Sequence, residues 1–325
     1  MQKFLKIFLF AIFLVNLTLF GVNVEKVFLG VKYSFESFQS DGNAIFVDPF
    51  NKKMIVYDLS SKSIVSSLDY VGNFVIGVYQ SENGYVVVDK TGHYISKISK
   101  QGFQVKRVVL RDKIQGSLLQ DNKIYILLEN GELYVFDTNL NQVSTYKFSD
   151  SPDYIFSWNK KILVTYQWND NYDVEFINEK PRKIGLMTPS ILVGDLLIDT
   201  RGGQAYNLKT GKTITLAPYI SSGFYDGTNH YIACMSNLTV YIVKNDSVQS
   251  SFKVPYPPTA IKKIGNLIVT LSAQHNKVMV TVDGKDVKAY ETGDNPQEIF
   301  KVKNSQSVFS VYCSDNGYMY YYHFK

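Results

Sequence analysis

Short apolar runs return in sets about every 38 residues, and this rhythm limits the fold more than any other feature of the chain. One marker is a strand-like run ending in Asp or Asn: Val56-Tyr57-Asp58, Val135-Phe136-Asp137, Phe176-Ile177-Asn178, Ala205-Tyr206-Asn207 and Thr281-Val282-Asp283. Asp58 to Asp137 is 79 residues, two steps of about 40, and Asp137 to Asn178 is 41. Asn207 to Asp283 is 76, with Ile242-Val243-Lys244-Asn245 at the midpoint. The second marker is a proline entering the next unit, at Pro152, Pro189, Pro218, Pro258 and Pro296, with gaps of 37, 29, 40 and 38. Two markers made of different residues keep one register.

Each marker has a physical reason to recur. Proline lacks an N–H and is tolerated where a connection ends and a strand begins. Asp and Asn close turns through side-chain-to-backbone hydrogen bonds. Between the markers lie β-branched and aromatic runs joined by Asn-Gly turns at Asn83-Gly84, Asn130-Gly131 and Asn316-Gly317, a strong hairpin signal. Each unit therefore reads as four antiparallel strands, as in Thr259–Ile264, Leu267–Ser272, Lys277–Val282 and Asp286–Tyr290. Four strands per repeat of this length define a β-propeller blade.

The expected fold is all-β, a single propeller with eight blades starting near Ser37, Phe74, Ile114, Pro152, Pro189, Pro218, Pro258 and Pro296. The short fifth unit, only 18 residues from Pro189 to Asn207, keeps a seven-bladed count open. The last unit supplies three strands, and Val24–Tyr33 is a spare strand at the other end. Pairing the two closes the ring and removes an open edge. No linker or low-complexity stretch divides the chain.

Residues 1–21 place Lys3 and Lys6 before an apolar run from Ile7 to about Val22. This is the pattern of a secretory signal peptide, leaving residues 22–325 as the propeller domain. A run of roughly 16 residues spans about 24 Å as a helix, short of the roughly 30 Å hydrocarbon core. Gly21 suits the residue before a cleavage site, whereas Leu19 is bulky for the position two before it, so an uncleaved N-terminal anchor is the alternative. The expected location is periplasmic or extracellular, with no further membrane span. Without the leader the formal net charge falls from +5 to +3, too mild for a nucleic-acid binder. Cys234 and Cys313 both lie in strand-like runs and read as small buried hydrophobes.

Two stretches carry a family resemblance. Ala205-Tyr206-Asn207-Leu208-Lys209-Thr210-Gly211-Lys212 resembles the repeat of quinoprotein-like propellers, although Thr215 stands where that family has a tryptophan. Val56-Tyr57-Asp58-Leu59-Ser60-Ser61-Lys62 is a degraded copy. Gly293-Asp294-Asn295-Pro296-Gln297-Glu298-Ile299 resembles the repeat entry of YVTN-like bacterial propellers. The resemblance spans residues 37–325 and implies the fold, not an activity, because propellers host unrelated functions.

No catalytic set emerges. His93, His230, His275 and His323 are scattered, without zinc spacing. Asn169-Asp170-Asn171-Tyr172-Asp173 offers oxygen ligands but lacks the glycine and terminal Glu of a calcium loop, and reads as a turn. Nucleophile-elbow, P-loop, metalloprotease and dinucleotide motifs are missing. Lys97–Lys106 with Arg107 and Arg111 reads as a solvated outer edge. The expectation is therefore no catalytic, cofactor-binding or metal residues and no cofactor. Trp158 and Trp168, and the tyrosines at 312, 318, 320, 321 and 322, pose a sharper question. Half of such a set packs between blades, and any that face solvent suit a protein hot spot.

The leading reading is an exported, monomeric, non-catalytic scaffold that binds a protein or other macromolecule. The alternative is an enzyme or small-ligand binder with its site at the mouth of the central channel, where Asp153, Asp195 and Glu298 are the residues to examine.

Overall fold

The computed structural model describes residues 21–324 apart from 33, 35, 36, 41, 70 and 71. The expected signal segment, residues 1–20, lies outside the described residues. Eight antiparallel sheets follow one another along the chain as an eight-bladed propeller. Their innermost strands begin at Ser37, Val75, Ile114, Tyr154, Pro189, Ile220, Ala260 and Pro296, within two residues of the starts marked by the repeat. The fifth blade keeps four strands, so the count is eight and not seven.

The core is a ring of eight interfaces, one between each pair of neighbouring blades. The second strand of the first blade, Asn43–Asp48, shows how sequence does this. Side chains alternate across a strand. Ala44 and Phe46 face the last blade, whereas Ile45 and Val47 face the second. Both faces are dry, so the strand is a continuous apolar run and not a half-polar alternation.

Polar stitching follows the repeat period. The Trp158 indole N–H donates to Asp195 Oδ1 at 2.8 Å, and Lys263 Nζ donates to Asp226 Oδ2 at 2.7 Å, each 37 residues apart. Gln115 donates to the Asp153 carbonyl across 38 residues, and Ser221 to the Pro258 carbonyl across 37. A one-repeat step along the chain is a one-blade step around the ring, so equivalent turns meet.

The ring closes as the spare strand suggests, with shifted bounds. The N-terminal strand is Val22–Phe28, not Val24–Tyr33, and pairs with Tyr318–Phe324 in register from Val22–Phe324 to Phe28–Tyr318. Residues beyond it cross to the first blade, where Leu29 and Val31 are buried beside Phe46 and Tyr57. Glu25 pairs with Lys62 of the first blade, adding a polar tie at the seam.

One four-stranded expectation fails. The fourth blade has three strands, Tyr154–Trp158, Lys161–Thr165 and Val174–Phe176, and its outer strand shrinks to a single bridge between Val174 and Arg182. The cause is local. The N–H groups of Ile184 and Leu186, which a strand would give to its neighbour, donate instead to Asp173 Oδ2 at 3.0 and 2.7 Å. Asp173 is fully buried, and Lys183 lies 3.3 Å from its other oxygen.

The turn chemistry holds. Asp58 Oδ1 accepts from Ser60 and Ser61, Asp137 Oδ1 from Asn139 and Asn141, and Asn207 Oδ1 from Lys209 and Thr210. Cys234 and Cys313 are free and buried. Burial pushes the Cys313 thiol up to about 12.

Candidate interaction surface

In each blade, the turns between strands two and three and the blade-to-blade connections emerge on one face of the disc, here the upper face. The turns after strands one and three emerge on the lower face. Among the large apolar side chains exposed at the upper face are Phe50, Phe74, Tyr154, Trp168, Met187 and Tyr219. Isolated exposed hydrophobes are ordinary, but a contiguous set marks an interaction site.

Four of these form an arc over blades four to six. Asp153 Oδ2, beside Tyr154, accepts the Gln167 N–H at 2.7 Å. Trp168 N donates to the Met187 carbonyl at 2.8 Å, and Met187 N donates to Asp199 Oδ2 at 2.9 Å. The Arg201 guanidinium sits 6.0 Å from the Trp168 ring centroid. Ile220 N, next to Tyr219, donates to the Thr200 carbonyl at 2.8 Å. Backbone hydrogen bonds and the carboxylates of Asp153 and Asp199 therefore tie the arc together across blades four to six.

Buried carboxylates anchor the loops of this face. Asp48, Asp89 and Asp199 each end the second strand of a blade and are almost fully buried. Asp48 Oδ1 accepts the N–H groups of Phe50 and Asn51, and Asp89 accepts those of Asn73 and Gly92. Asp199 accepts from Met187, Thr188, Arg201 and Gly202. Burial opposes ionisation of Asp199, yet the Thr188 hydroxyl and these N–H groups outweigh it and hold its pKa below the usual carboxylate value. The sequence pattern of this anchor, a β-branched or leucine-rich run ending in Asp at strand two, was as visible as the Asp or Asn that ends strand three.

Two of the exposed aromatics carry an unusual backbone. Trp168 has φ 53° and Tyr219 φ 62°, both in the left-handed region. A bulky residue there is an outlier that costs roughly 1–2 kcal/mol. Glycine would relieve the strain, and these side chains gain little burial in return, since each is about 60% exposed. Strained, exposed aromatics on a rigid face fit recognition better than stability.

The residues named for a channel site do not converge. Asp153 lies under the upper face, whereas Asp195 sits in a lower-face turn bonded to Trp158. Glu298, on the inner strand Pro296–Lys301, pairs with Lys262 of the preceding blade. Tyr312, Tyr321 and Tyr322 are buried between blades, and Tyr318 and Tyr320 are partly so. Trp158 is half-buried, and of the two tryptophans only Trp168 is open. Among the described residues no three His, Cys, Asp or Glu side chains are grouped to hold a metal ion. His230 opens a second strand and His275 lies in a 3-10 turn, while Asn169–Asp173 forms the turn between strands two and three of blade four. Lys97 lies on the third strand of blade two, not the outer one, which carries Lys106 and Arg107.

No family model and no curated protein matches the sequence. Solved structures do match over nearly the whole chain. Sqt1 from Saccharomyces cerevisiae aligns at a TM-score of 0.69 and 12% identity, over 92% of this chain and 98% of that one. BamB from Moraxella catarrhalis aligns at 0.65 and 12%, over 92% and 98%. A streptogramin B lyase aligns at 0.58 and 14%, over 94% and 98%. At such identities the likeness shows the fold alone, and the fold is the β-propeller.

Proposed function

We propose that this chain is an exported, non-catalytic propeller scaffold that binds a protein through the upper-face arc of Tyr154, Trp168, Met187 and Tyr219. The observation that carries the reading is the pair of exposed aromatics held in left-handed backbone. Aromatic anchors on a pre-ordered surface lose little conformational freedom on binding. In this reading the protein is a monomer of the quinoprotein-like or YVTN-like bacterial type, works without a cofactor, and acts in the periplasm or outside the cell. Residues 1–21 serve as its signal peptide, or as an anchor if retained.

The position of the N-terminal strand supports the arrangement. Val22 pairs with Phe324 at the lower end of the last blade, on the face opposite the arc. The polar groups of the inner strands favour a scaffold over a channel enzyme. Gln115, Ser221 and Lys262 are engaged in blade-to-blade hydrogen bonds.

Photo-crosslinking in the producing cell tests the proposal. A photoreactive amino acid is placed at position 168 or 219, with a control at Phe103, an exposed lower-face residue. The expected result is one discrete protein adduct from 168 and 219 and none from 103. No adduct, or the same pattern from 103, refutes it.

A further inference from the structure

The lower face carries a second feature, independent of the arc. A cleft of about 430 Å³ lies where the turns of blades five and six meet. At its base His230 is more than nine-tenths buried, and neither ring nitrogen has a hydrogen-bond partner of acceptable geometry. Such orphans are the exception in native structures and call for an explanation. The Tyr225 ring stacks on the imidazole with centroids 4.4 Å apart and 23° between planes. Tyr225 is 37% exposed, and its hydroxyl bonds only within its own turn, to the Gly227 carbonyl at 2.9 Å. It covers the imidazole, so a ligand reaches the ring only if Tyr225 turns aside.

Gly194 makes this approach fit. Its φ is +58°, and a Cβ there would lie 2.9 Å from His230 Nε2 and 2.8 Å from Tyr225 Cγ. Only glycine lets the blade-five turn close over the pair.

The charges around the histidine are layered. Asp195 gives one oxygen to the Trp158 indole and keeps the other. Asp246 Oδ1 accepts the Asn207 amide at 2.6 Å, and its Oδ2 is 3.8 Å from Lys212 Nζ, beyond hydrogen-bond reach. Asp246 is only 9% exposed, whereas Lys212 is 70% exposed, and Lys209 beside it is exposed too. Asp246 therefore sits deep, Asp195 is half-buried, and the ammonium groups stand at the rim. Burial lowers the His230 pKa against the smaller opposing pull of the Val243 carbonyl and of Asp195, Asp226 and Asp246, so the ring is neutral and offers a lone pair.

We propose that this cleft binds a free amino acid, its ammonium group directed inward to Asp195, Asp246 and His230 and its carboxylate outward to Lys209 and Lys212. A ligand of single charge would meet one attractive and one repulsive layer. A small zwitterion matches both.

Calorimetric titration of the purified mature chain with the common L-amino acids, near neutral pH, tests this. Methylamine and acetate serve as single-charge comparators. At least one amino acid is expected to bind with Kd below about 1 mM, at least about tenfold more tightly than either comparator. Asp195→Asn and Lys209→Ala should each weaken that binding by about tenfold. Lys209 is exposed, so its variant keeps the test usable if losing the Trp158 contact unfolds Asp195→Asn. Failure of every amino acid to bind the wild-type chain overturns the proposal. So does unchanged affinity in the folded variants, or equal binding of methylamine or acetate.

Discussion

Replacing Phe46 by alanine probes the seam at which the ring closes. Phe46 is fully buried on the second strand of blade one. Its ring meets Phe300 at 5.6 Å, edge to face, and Tyr312 at 4.6 Å, both from the last blade. Truncating a buried phenylalanine costs about 3–5 kcal/mol, through lost transfer energy and the cavity left behind. That range already includes lost aromatic contacts of about 0.5–1.5 kcal/mol per pair, so the expectation is its middle, about 4 kcal/mol. At about 2.1 cal/mol/K per residue over roughly 300 residues, the unfolding entropy is about 0.6 kcal/mol/K, so the midpoint should drop by about 6 °C. Urea unfolding and calorimetry measure the loss. Hydrogen exchange supplies the local readout, because Leu29 and Val31 share the Phe46 cluster. Amides of Val22–Phe28 should exchange faster in Phe46→Ala. A loss below about 1.5 kcal/mol, or unchanged exchange in that strand, refutes the described packing.

Three further outcomes follow from named groups. Trp168→Gly should be more stable than Trp168→Ala by about 1 kcal/mol in urea unfolding, because glycine adopts φ 53° freely; an alanine variant as stable as the glycine one removes the strain argument. Burial opposes ionisation of Asp226, yet the N–H groups of Asn229 and Thr228, the Lys263 ammonium and the Tyr231 hydroxyl hold its pKa far below the ordinary value. Its contribution is complete above the unfolded-state pKa of about 3.9 and fades as pH falls, so the deficit of Asp226→Asn should shrink below about pH 4 in a stability–pH series. Cys313, buried and with its thiol raised to about 12, should resist a thiol reagent in the native state and react once the protein is denatured; prompt native labelling contradicts its placement.

The blade starts, the Asx turns after Asp58, Asp137 and Asn207, and the closure by the first strand were all legible in the chain. Each depends on a few neighbouring residues, where proline, Asn-Gly and turn-forming Asp act through local backbone geometry. The fourth blade was not legible in the same way. Its outer strand is lost because one buried carboxylate, Asp173, captures two N–H groups 11 and 13 residues away. Nor could strand alternation separate Trp168, open to solvent, from Tyr321 and Tyr322, sealed between blades, since all three lie in aromatic-rich segments. Exposure depends on what the adjoining blade brings to that spot. The arc and the His230 cleft have the same origin. Each joins residues from different blades, and only the closed ring, which turns a step of about 38 residues into a step sideways of one blade, makes them neighbours.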